Sequence, residues 1–216
     1  MSNAPAPRAF EIRHVQLGRA FFAAIAAVMI TFSPDHSAEL GLSVFSGYAI
    51  ATGLVLLLGA WLAYPAGHRG LPILLGILNA AAGMIAGIPP LRGTTMFFAL
   101  VISWALIVGL IEGIAGWRAL RRAERTSAAR AEARDAIWTG GLGVVLGLAL
   151  LFVPAQYALN YYIEEAGRDF TLTGITIAVG LFGFYVAFVA VNLGIAAFSP
   201  RREPVETPAP VEDHRA

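Results

Sequence analysis

Residues 94–117 read TTMFFALVISWALIVGLIEGIAGW, and the basic stretch RALRR follows at 118–122. The apolar run is longer than the roughly 20 residues that an α-helix needs to cross the hydrocarbon core of a bilayer. Its one acidic side chain, Glu112, lies near the basic end. The stretch therefore predicts a transmembrane helix that ends at an arginine-rich boundary, and similar runs recur along the chain.

The composition of the whole chain is typical of a membrane protein. Of the 216 residues, 57% are hydrophobic and 13% are charged, and the mean hydropathy is +0.69. Soluble domains carry about 25% charged residues, so a water-soluble fold is not expected. The absence of cysteine excludes disulfides, thiolate catalysis and thiolate metal sites. The histidines lack ligand-like spacing, so neither a metal nor another cofactor is predicted.

Six apolar runs, separated by short polar breaks, predict an all-α fold: a six-helix transmembrane bundle built from three repeated helical hairpins. The segment 118–135 is rich in alanine, arginine and glutamate and predicts a polar helix that extends the fourth span. The tails at 1–14 and 199–216 are predicted to be disordered. The spans are predicted at 15–32, 40–64, 71–88, 94–117, 136–153 and 172–198.

The distribution of arginine predicts which ends of the spans face the cytoplasm. All 15 basic residues are arginine, and all but Arg92 and Arg168 fall on one side of the predicted spans. Because basic loops stay on the cytoplasmic side, we expect both termini in the cytoplasm and the chain in the inner (plasma) membrane. Trp61, Trp117 and Trp138 fall at the same ends, where an indole ring suits the headgroup region.

The first, third and fifth spans end in similar ways. Their last residues read ITFSP at 30–34, IAGIP at 85–89 and LLFVP at 150–154. Proline at the end of a single helix is common and carries no information by itself. Its recurrence at the same place in three consecutive hairpins predicts a repeated two-helix unit.

The fourth span closes as LIEGI at 110–114, just before the arginine cluster. Together with the three hairpins and their terminal prolines, this pattern resembles the HdeD-like family of short-repeat membrane proteins over about 15–198. The resemblance implies an inner-membrane protein linked to acid or general stress resistance in enteric bacteria, without established catalytic chemistry. The connection 155–171 departs from the family pattern, because it is long and carries Tyr157, Tyr161 and Tyr162.

Three polar residues fall inside predicted spans at similar depth: Glu112, Asn79 and Asn192. Glu112 lies about 9 Å from the basic boundary at 1.5 Å per residue. An acidic group within a membrane suggests proton or cation handling, and the three side chains together would form an intramembrane polar layer. The alternatives are that Glu112 pairs with Arg19 or reaches the interface, and that the two amides only hold helices together.

Asp35, His36 and Glu39 in the first outer connection form a candidate pH-sensing cluster. Histidine titrates near neutrality, and nearby carboxylates raise its pKa. The alternative is an ordinary helix start, in which Asp35 and Glu39 favour the positive end of the second span.

Three pairs of glycines at four-residue spacing predict surfaces on which helix backbones approach closely. The pairs do not indicate whether the helices belong to one chain or to two. They are Gly83 and Gly87, Gly109 and Gly113, and Gly143 and Gly147.

Two functions remain open from the sequence. The first is a non-enzymatic membrane protein of the HdeD-like kind that contributes to acid or envelope stress tolerance. The second is a small transporter or channel for protons or a small solute, with Glu112, Asn79 and Asn192 along its path. The sequence shows no cluster of nucleophile, acid and base of the kind that an enzyme requires, so no catalytic activity is predicted. The expected partners are the lipid bilayer and a second copy or another membrane protein, and nucleic acid is not expected.

Overall fold

The computed structural model describes residues 10–123, 128–164 and 167–199. Most of the tails predicted to be disordered, 1–14 and 199–216, lies outside these residues. Residues 12–14 are a correction, because they already belong to the first helix. The backbone N–H of Glu11 donates to His14 Nδ1 at 3.0 Å, and this bond satisfies a donor at the helix start.

The fold is all-α apart from one short β-hairpin. Within the described residues, five helices are long and apolar enough to cross a membrane. The third helix has 17 residues, at the short end of the range for a spanning helix. The elements are α1 Ile12–Phe32, α2 Ala38–Leu62, α3 Gly70–Ala86, α4 Thr94–Arg122, α5 Ala128–Leu151, β1 Ala158–Ile163, β2 Arg168–Thr173 and α6 Gly174–Phe198.

The polar segment predicted as one helical extension of the fourth span is divided between two helices. The helix α4 continues to Arg122, and α5 begins at Ala128. The two ends pack against each other, since a Cβ added at Gly116 would lie 2.8 Å from the Ala133 carbonyl oxygen. Because α5 must return along α4, the polar segment cannot remain a single straight helix.

The connection predicted at 155–171 contains an antiparallel hairpin. Residues Ala158 to Ile163 pair with Arg168 to Thr173, and Tyr161 stands opposite Phe170. Both strands are rich in β-branched and aromatic residues, which favour extended backbone. Gly167, with φ of 62°, supplies the left-handed conformation in the turn.

The six helices form a closed ring in which each helix contacts the next and α6 returns to α1. The most extensive contacts join α4 with α5, α2 with α3, and α1 with α6. The hairpins predicted from the prolines correspond to α1 with α2, α3 with α4, and α5 with α6, which pack less extensively. The internal repeat stays a prediction.

All six glycines predicted as packing surfaces lie against other residues of the same chain. A Cβ at Gly109 would meet the Gly140 carbonyl oxygen at 2.8 Å, and one at Gly83 would meet the Ile50 nitrogen at 2.8 Å. Such distances leave no space for a side chain. Gly143 and Gly147 pack on α4, Gly113 approaches Gly140 more loosely, and Gly87 lies beside Ser46.

The interior of the ring is an aromatic layer contributed by the even-numbered helices. It consists of Phe45 and Tyr48 from α2, Trp104 from α4, and Phe182 and Tyr185 from α6. Phe45 is the centre, with its ring 4.9 Å from Trp104 and 5.6 Å from Phe182. All five side chains are buried. We use the name aromatic layer for these five residues below.

The outer surface of the ring is apolar. Side chains such as Val145 and Phe184 are 63% and 64% exposed, and large hydrophobic residues lie exposed on every helix. A monomeric soluble protein rarely exposes an apolar surface of this extent. The surface is the lipid contact of a multi-pass membrane protein.

Candidate functional site

All six helices border a partly open cleft of about 730 Å³ at one end of the ring. The starts of α1, α3 and α5 and the ends of α2, α4 and α6 meet there. This is the arginine-rich end. The cleft is large enough for a small organic molecule, since ligand sites have volumes of roughly 300–1,000 Å³.

A buried ion pair joins α1 and α4 in the wall of this cleft. Arg19 Nη1 donates to Glu112 Oε1 at 2.8 Å, and Nη2 donates to Oε2 at 3.2 Å. The side chains are only 12% and 7% exposed. The parallel arrangement of two N–H donors on two oxygens is the strongest geometry available to a guanidinium and a carboxylate.

The guanidinium has hydrogen-bonding capacity that Glu112 does not use. Its Nε is buried and has no hydrogen-bond partner among the residues that the structure describes. The phenols of Tyr48 and Tyr185 interact with the pair electrostatically. An unsatisfied buried N–H costs about 1–3 kcal/mol, so an acceptor would gain from this donor once the guanidinium shifts to present it to the cleft.

A polar network lies beside the ion pair and joins α1, α5 and α6. Gln16 Nε2 donates to Asp135 Oδ2 at 3.0 Å, and Thr139 Oγ1 donates to the Asp135 carbonyl oxygen at 2.9 Å. Asn192 Nδ2 approaches Thr139 Oγ1 at 3.5 Å. Gln16, Asp135 and Thr139 line the cleft.

Most of the cleft wall is apolar. Each of α1, α2, α3 and α6 contributes an aliphatic side chain, and charged groups outside the ion pair lie toward the helix ends. The aliphatic residues include Ile12, Val15, Leu56, Leu71, Leu75 and Leu193, and the charged residues toward the ends are Arg122, Glu132 and Asp135.

The aromatic layer closes the bundle beyond the cleft. On each even-numbered helix an aromatic residue precedes a cleft residue by about two turns, or about 12 Å. The pairs are Tyr48 and Leu56, Trp104 and Glu112, and Tyr185 and Leu193. Within the described residues, the cleft therefore ends at this layer and does not continue through the bundle.

The structure separates the three residues of the predicted polar layer. Glu112 binds Arg19 and lines the cleft, as one of the alternatives from the sequence proposed. Asn79 is buried beside the aromatic layer, where its Oδ1 accepts from Trp104 Nε1 at 3.1 Å. Asn192 meets Thr139 behind the cleft wall. No hydrogen bond among the described residues joins the three to one another, and both amides bridge helices.

At the other end of the ring, Asp35 takes part in a helix start. Its Oδ1 and Oδ2 accept from the Ser37 backbone N–H and hydroxyl, each at 2.8 Å, and Ser37 caps α2 by accepting from the Leu40 N–H. Within the described part of the chain, no hydrogen bond or ion pair joins His36 to Asp35 or Glu39. The pH-sensing role of the three residues stays a prediction.

Sequence reasoning missed Gln16, Asp135 and Thr139. Gln16 precedes Arg19 by three residues, which puts both on one face of a helix, and this spacing was the available signal. Asp135 precedes Thr139 by four residues, which also puts both on one face of α5, but the boundary of the fifth span was predicted between them. Their proximity to α1 depends on the closure of the ring, which no local pattern encodes.

Among the described residues, no group of three or more histidine and acidic side chains could hold a metal ion. The cleft offers two guanidinium groups, three carboxylates, the Gln16 amide, the His68 imidazole and the hydroxyls of Thr139 and Tyr64 against aliphatic walls. Such a site can bind and orient a small charged or polar molecule. No protein-family model, curated protein or solved structure matches the chain.

Proposed function

We propose that this membrane protein is a small transporter and that the cleft is its solute site. The observation that carries the proposal is the position of Glu112. Its carboxylate lies inside the bundle, paired with Arg19, in the wall of a cavity of about 730 Å³. A carboxylate that served only to anchor a helix at the lipid interface would not need a cavity beside it.

The energetics favour a working role for the ion pair. Removing two charges from water costs several kcal/mol for each ion, and an apolar pair of similar volume is often as stable or more stable. Acidic and basic groups within membrane spans are therefore rare and mark solute or ion paths by default. The orphan Nε of Arg19 supports the same conclusion, because a purely structural arginine gains from satisfying every donor.

The aromatic layer favours a transporter over an open channel. A channel needs a continuous polar path, whereas here five packed aromatic side chains lie between the cleft and the opposite end. A cleft open at one end and closed at the other is typical of one state of an alternating-access protein.

We further propose that the cleft opens to the cytoplasm and that the protein resides in the inner membrane with both termini cytoplasmic. The support is the arginine asymmetry, in which only Arg92 and Arg168 lie on the opposite side. Exposed Trp61, Trp117 and Trp138 at the cleft end suit a headgroup belt. Arg121 stacks on Trp117 with its guanidinium carbon 3.8 Å from the ring centroid.

Proton flux in proteoliposomes tests the transport proposal. The full chain is reconstituted with a pH-sensitive dye inside, and interior pH is followed after a pH step. The step is made in buffer alone and then with the low-mass fraction of a bacterial extract outside. We expect faster acidification than in protein-free vesicles under at least the second condition, and loss of the difference in Glu112→Gln. Glu164→Gln, an exposed carboxylate at the other end, is the matched control. Equal rates for wild type and Glu112→Gln would contradict the proposal.

A second candidate is the stress role implied by the resemblance to HdeD-like proteins. The observation in its favour is that Glu112, within the LIEGI motif, is a buried and protonatable group. The test is survival of a deletion strain across a pH series, complemented by wild type or by Glu112→Gln at equal expression. Acid sensitivity rescued by wild type alone supports the role, and a deletion without effect at any pH removes it. Neither candidate requires catalysis, and we propose that the chain is not an enzyme.

A further inference from the structure

We infer that the cleft binds a monocarboxylate with an apolar body, and that the carboxylate enters together with one proton. The inference rests on the proposed function, because it names the solute class of the same site. Three observations carry it: the free donor on Arg19, the aliphatic walls of the cleft, and the charge balance of the ion pair.

The recognition group for the anion is the Arg19 guanidinium. It lines the cleft, it remains charged at any physiological pH, and its Nε–H has no partner within residues 10–123, 128–164 and 167–199. A planar fork of N–H donors matches a carboxylate, as the bond to Glu112 already demonstrates. A second carboxylate that reached the guanidinium would meet the same geometry.

The walls select the rest of the ligand. The side chains around the ion pair are mainly aliphatic, including Val15, Leu56, Leu75 and Leu193. A strongly hydrated anion such as phosphate would lose its water against these walls without replacement, whereas an aromatic or aliphatic body gains from burial. The volume accommodates a ring or a short chain beside the carboxylate.

Charge balance requires a proton. The charges of the Arg19 cation and the Glu112 anion cancel in the ion pair. A bound carboxylate alone would leave a net negative charge in a buried region that Asp135 and Glu132 also border. If a hydronium ion or a buffer acid in the bulk solution gives Glu112 a proton, the bond to that proton breaks in the donor and one O–H bond forms on the carboxyl group, while the conjugate base stays in solution. The carboxylic acid releases both Nη donors, the ligand carboxylate becomes the partner of Arg19, and the site remains neutral.

The groups that act on this exchange come from every element packed against Glu112, and Arg19 holds the carboxylate ionised until the ligand carboxylate replaces it. In the described part of the chain, α1 supplies the cation in contact with Glu112, α2 and α6 supply neutral phenols, and α3 supplies aliphatic groups, with His68 in the connection before α3. On α5 the cleft has two acidic residues, which disfavour a further negative charge. The groups are Arg19, Tyr48, Tyr185, Leu71, Leu75, Glu132 and Asp135, with Arg122 further along α4 at the cleft end.

Calorimetric titration of the full chain in nanodiscs of zwitterionic lipid tests the inference. The probe is benzoate, and benzamide is the matched neutral ligand. Titration in two buffers with different enthalpies of ionisation gives the number of protons taken up per ligand. We expect benzoate to bind more tightly than benzamide, with uptake of about one proton per ligand at neutral and alkaline pH. In that range the apparent affinity should fall about tenfold per pH unit.

Two variants separate the roles of the pair. Glu112→Gln imitates the protonated state, so benzoate should bind without proton uptake and with no pH dependence. Arg19→Gln should lose the preference for benzoate over benzamide. Glu164→Gln should behave as wild type. Size-exclusion profiles check that each variant is folded. The number of protons that the wild type takes up per benzoate tests the inference even if a variant does not fold.

The results that overturn the inference differ from those that overturn transport. Equal binding of benzoate and benzamide, benzoate binding without proton uptake, or no benzoate binding between pH 5 and 8 would each refute it. If proton flux in vesicles still depends on Glu112 in such a case, the transporter remains and its solute belongs to another class. If benzoate binds with a proton but no flux depends on Glu112, the carboxylate site stands and transport does not.

Discussion

At the scale of single residues, the decisive feature is that Arg19 and Glu112 are buried together. The pair is bidentate, with distances of 2.8 and 3.2 Å, and it joins the first helix to the fourth. Either charge alone in this position would lack compensation in a medium where charges interact strongly. The pair should therefore behave as a unit in mutagenesis.

A double-mutant cycle tests this coupling. Arg19→Leu and Glu112→Leu should each destabilise the protein by about 3–5 kcal/mol, because each leaves one uncompensated buried charge. The double variant should lose much less than the sum, since two leucines remove both charges. Chemical unfolding in mixed micelles measures the free energies. Additive losses would show that the two side chains do not depend on each other.

The bond between Asn79 and Trp104 gives a second prediction at this scale. Trp104→Phe removes the donor and leaves the Asn79 Oδ1 atom without its partner beside the aromatic layer. We expect a loss of about 0.5–1.5 kcal/mol, within the range for interhelical bonds in membranes. Trp138→Phe, on the 65% exposed Trp138, is the control and should change the unfolding free energy little. Equal effects of the two substitutions would contradict a special role for the bond.

Sequence alone identified part of the site. Glu112 was predicted to have a role because a carboxylate within an apolar run is costly to bury. Arg19 was its partner in one of the alternatives from the sequence. The common depth of Asn79, Asn192 and Glu112 stays a prediction, and the partners of the two amides, Trp104 and Thr139, lie on other helices. The position of a residue along its helix can be predicted from the sequence. The rotation of the helix about its axis and the identity of the neighbouring helix cannot.

At the scale of elements, the tightest junction is between α4 and α5. Gly140 lies directly against Gly109 and Gly113, and a Cβ there would stand 2.6 Å from the Gly109 carbonyl oxygen. The next residue, Gly141, has no atom within 4 Å of the same position. Two adjacent glycines therefore have opposite roles, one in packing and one on the open surface.

Alanine substitution should separate these roles. Gly140→Ala should destabilise the bundle, because its methyl group meets backbone atoms that cannot move independently. Gly141→Ala should be neutral or stabilising by up to about 1 kcal/mol, since alanine is the better helix former. Thermal unfolding in detergent gives the sign of each change. A loss of stability in both variants would mean that α4 and α5 pack differently.

Element boundaries were predictable to within a few residues for the apolar spans, with two instructive exceptions. The helix α1 starts at Ile12, earlier than the apolar run, and α5 starts at Ala128 within a polar stretch. Hydropathy marks where lipid contact begins, but helix ends also depend on capping and on helix contacts above the membrane. The β-hairpin was not predicted, because six-residue strands have weak local sequence patterns beside long helices.

At the scale of the whole molecule, the ring has two different ends. One end holds the cleft and the basic residues, and the other holds the β-hairpin and the capped start of α2. Sequence reasoning captured this polarity through the arginine asymmetry. It did not capture the closure of the ring by α1 and α6, because hairpin connectivity says nothing about the contact of the first helix with the last.

The lack of native cysteine makes the polarity measurable. Single substitutions at Ala66 and Ala155, both exposed and at opposite ends, should react with a membrane-impermeant maleimide from opposite sides of oriented vesicles. Ala66→Cys should react only from the cytoplasmic side. Reaction of both positions from the same side would be incompatible with the six-span ring.

The cleft itself should be accessible to the same reagent. Ala115→Cys lines the cleft and should be labelled from the side that labels Ala66→Cys. Ala178→Cys, fully buried in the bundle, should stay unlabelled until the protein is denatured. If Ala115→Cys reacts no faster than Ala178→Cys, small solutes do not enter the cleft.

The ion pair also constrains how the protein is made. Arg19 and Glu112 are separated by 93 residues. A ribosome adds about 5–20 residues per second, so Arg19 is synthesised roughly 5 to 20 s before Glu112. During this interval the first helix carries an unneutralised charge about 10 Å from its start at Ile12. The first helix must remain at the insertion machinery, or it must lie near the membrane surface with the guanidinium among the lipid headgroups. Assembly of the nascent chain is thereby delayed until the fourth helix arrives.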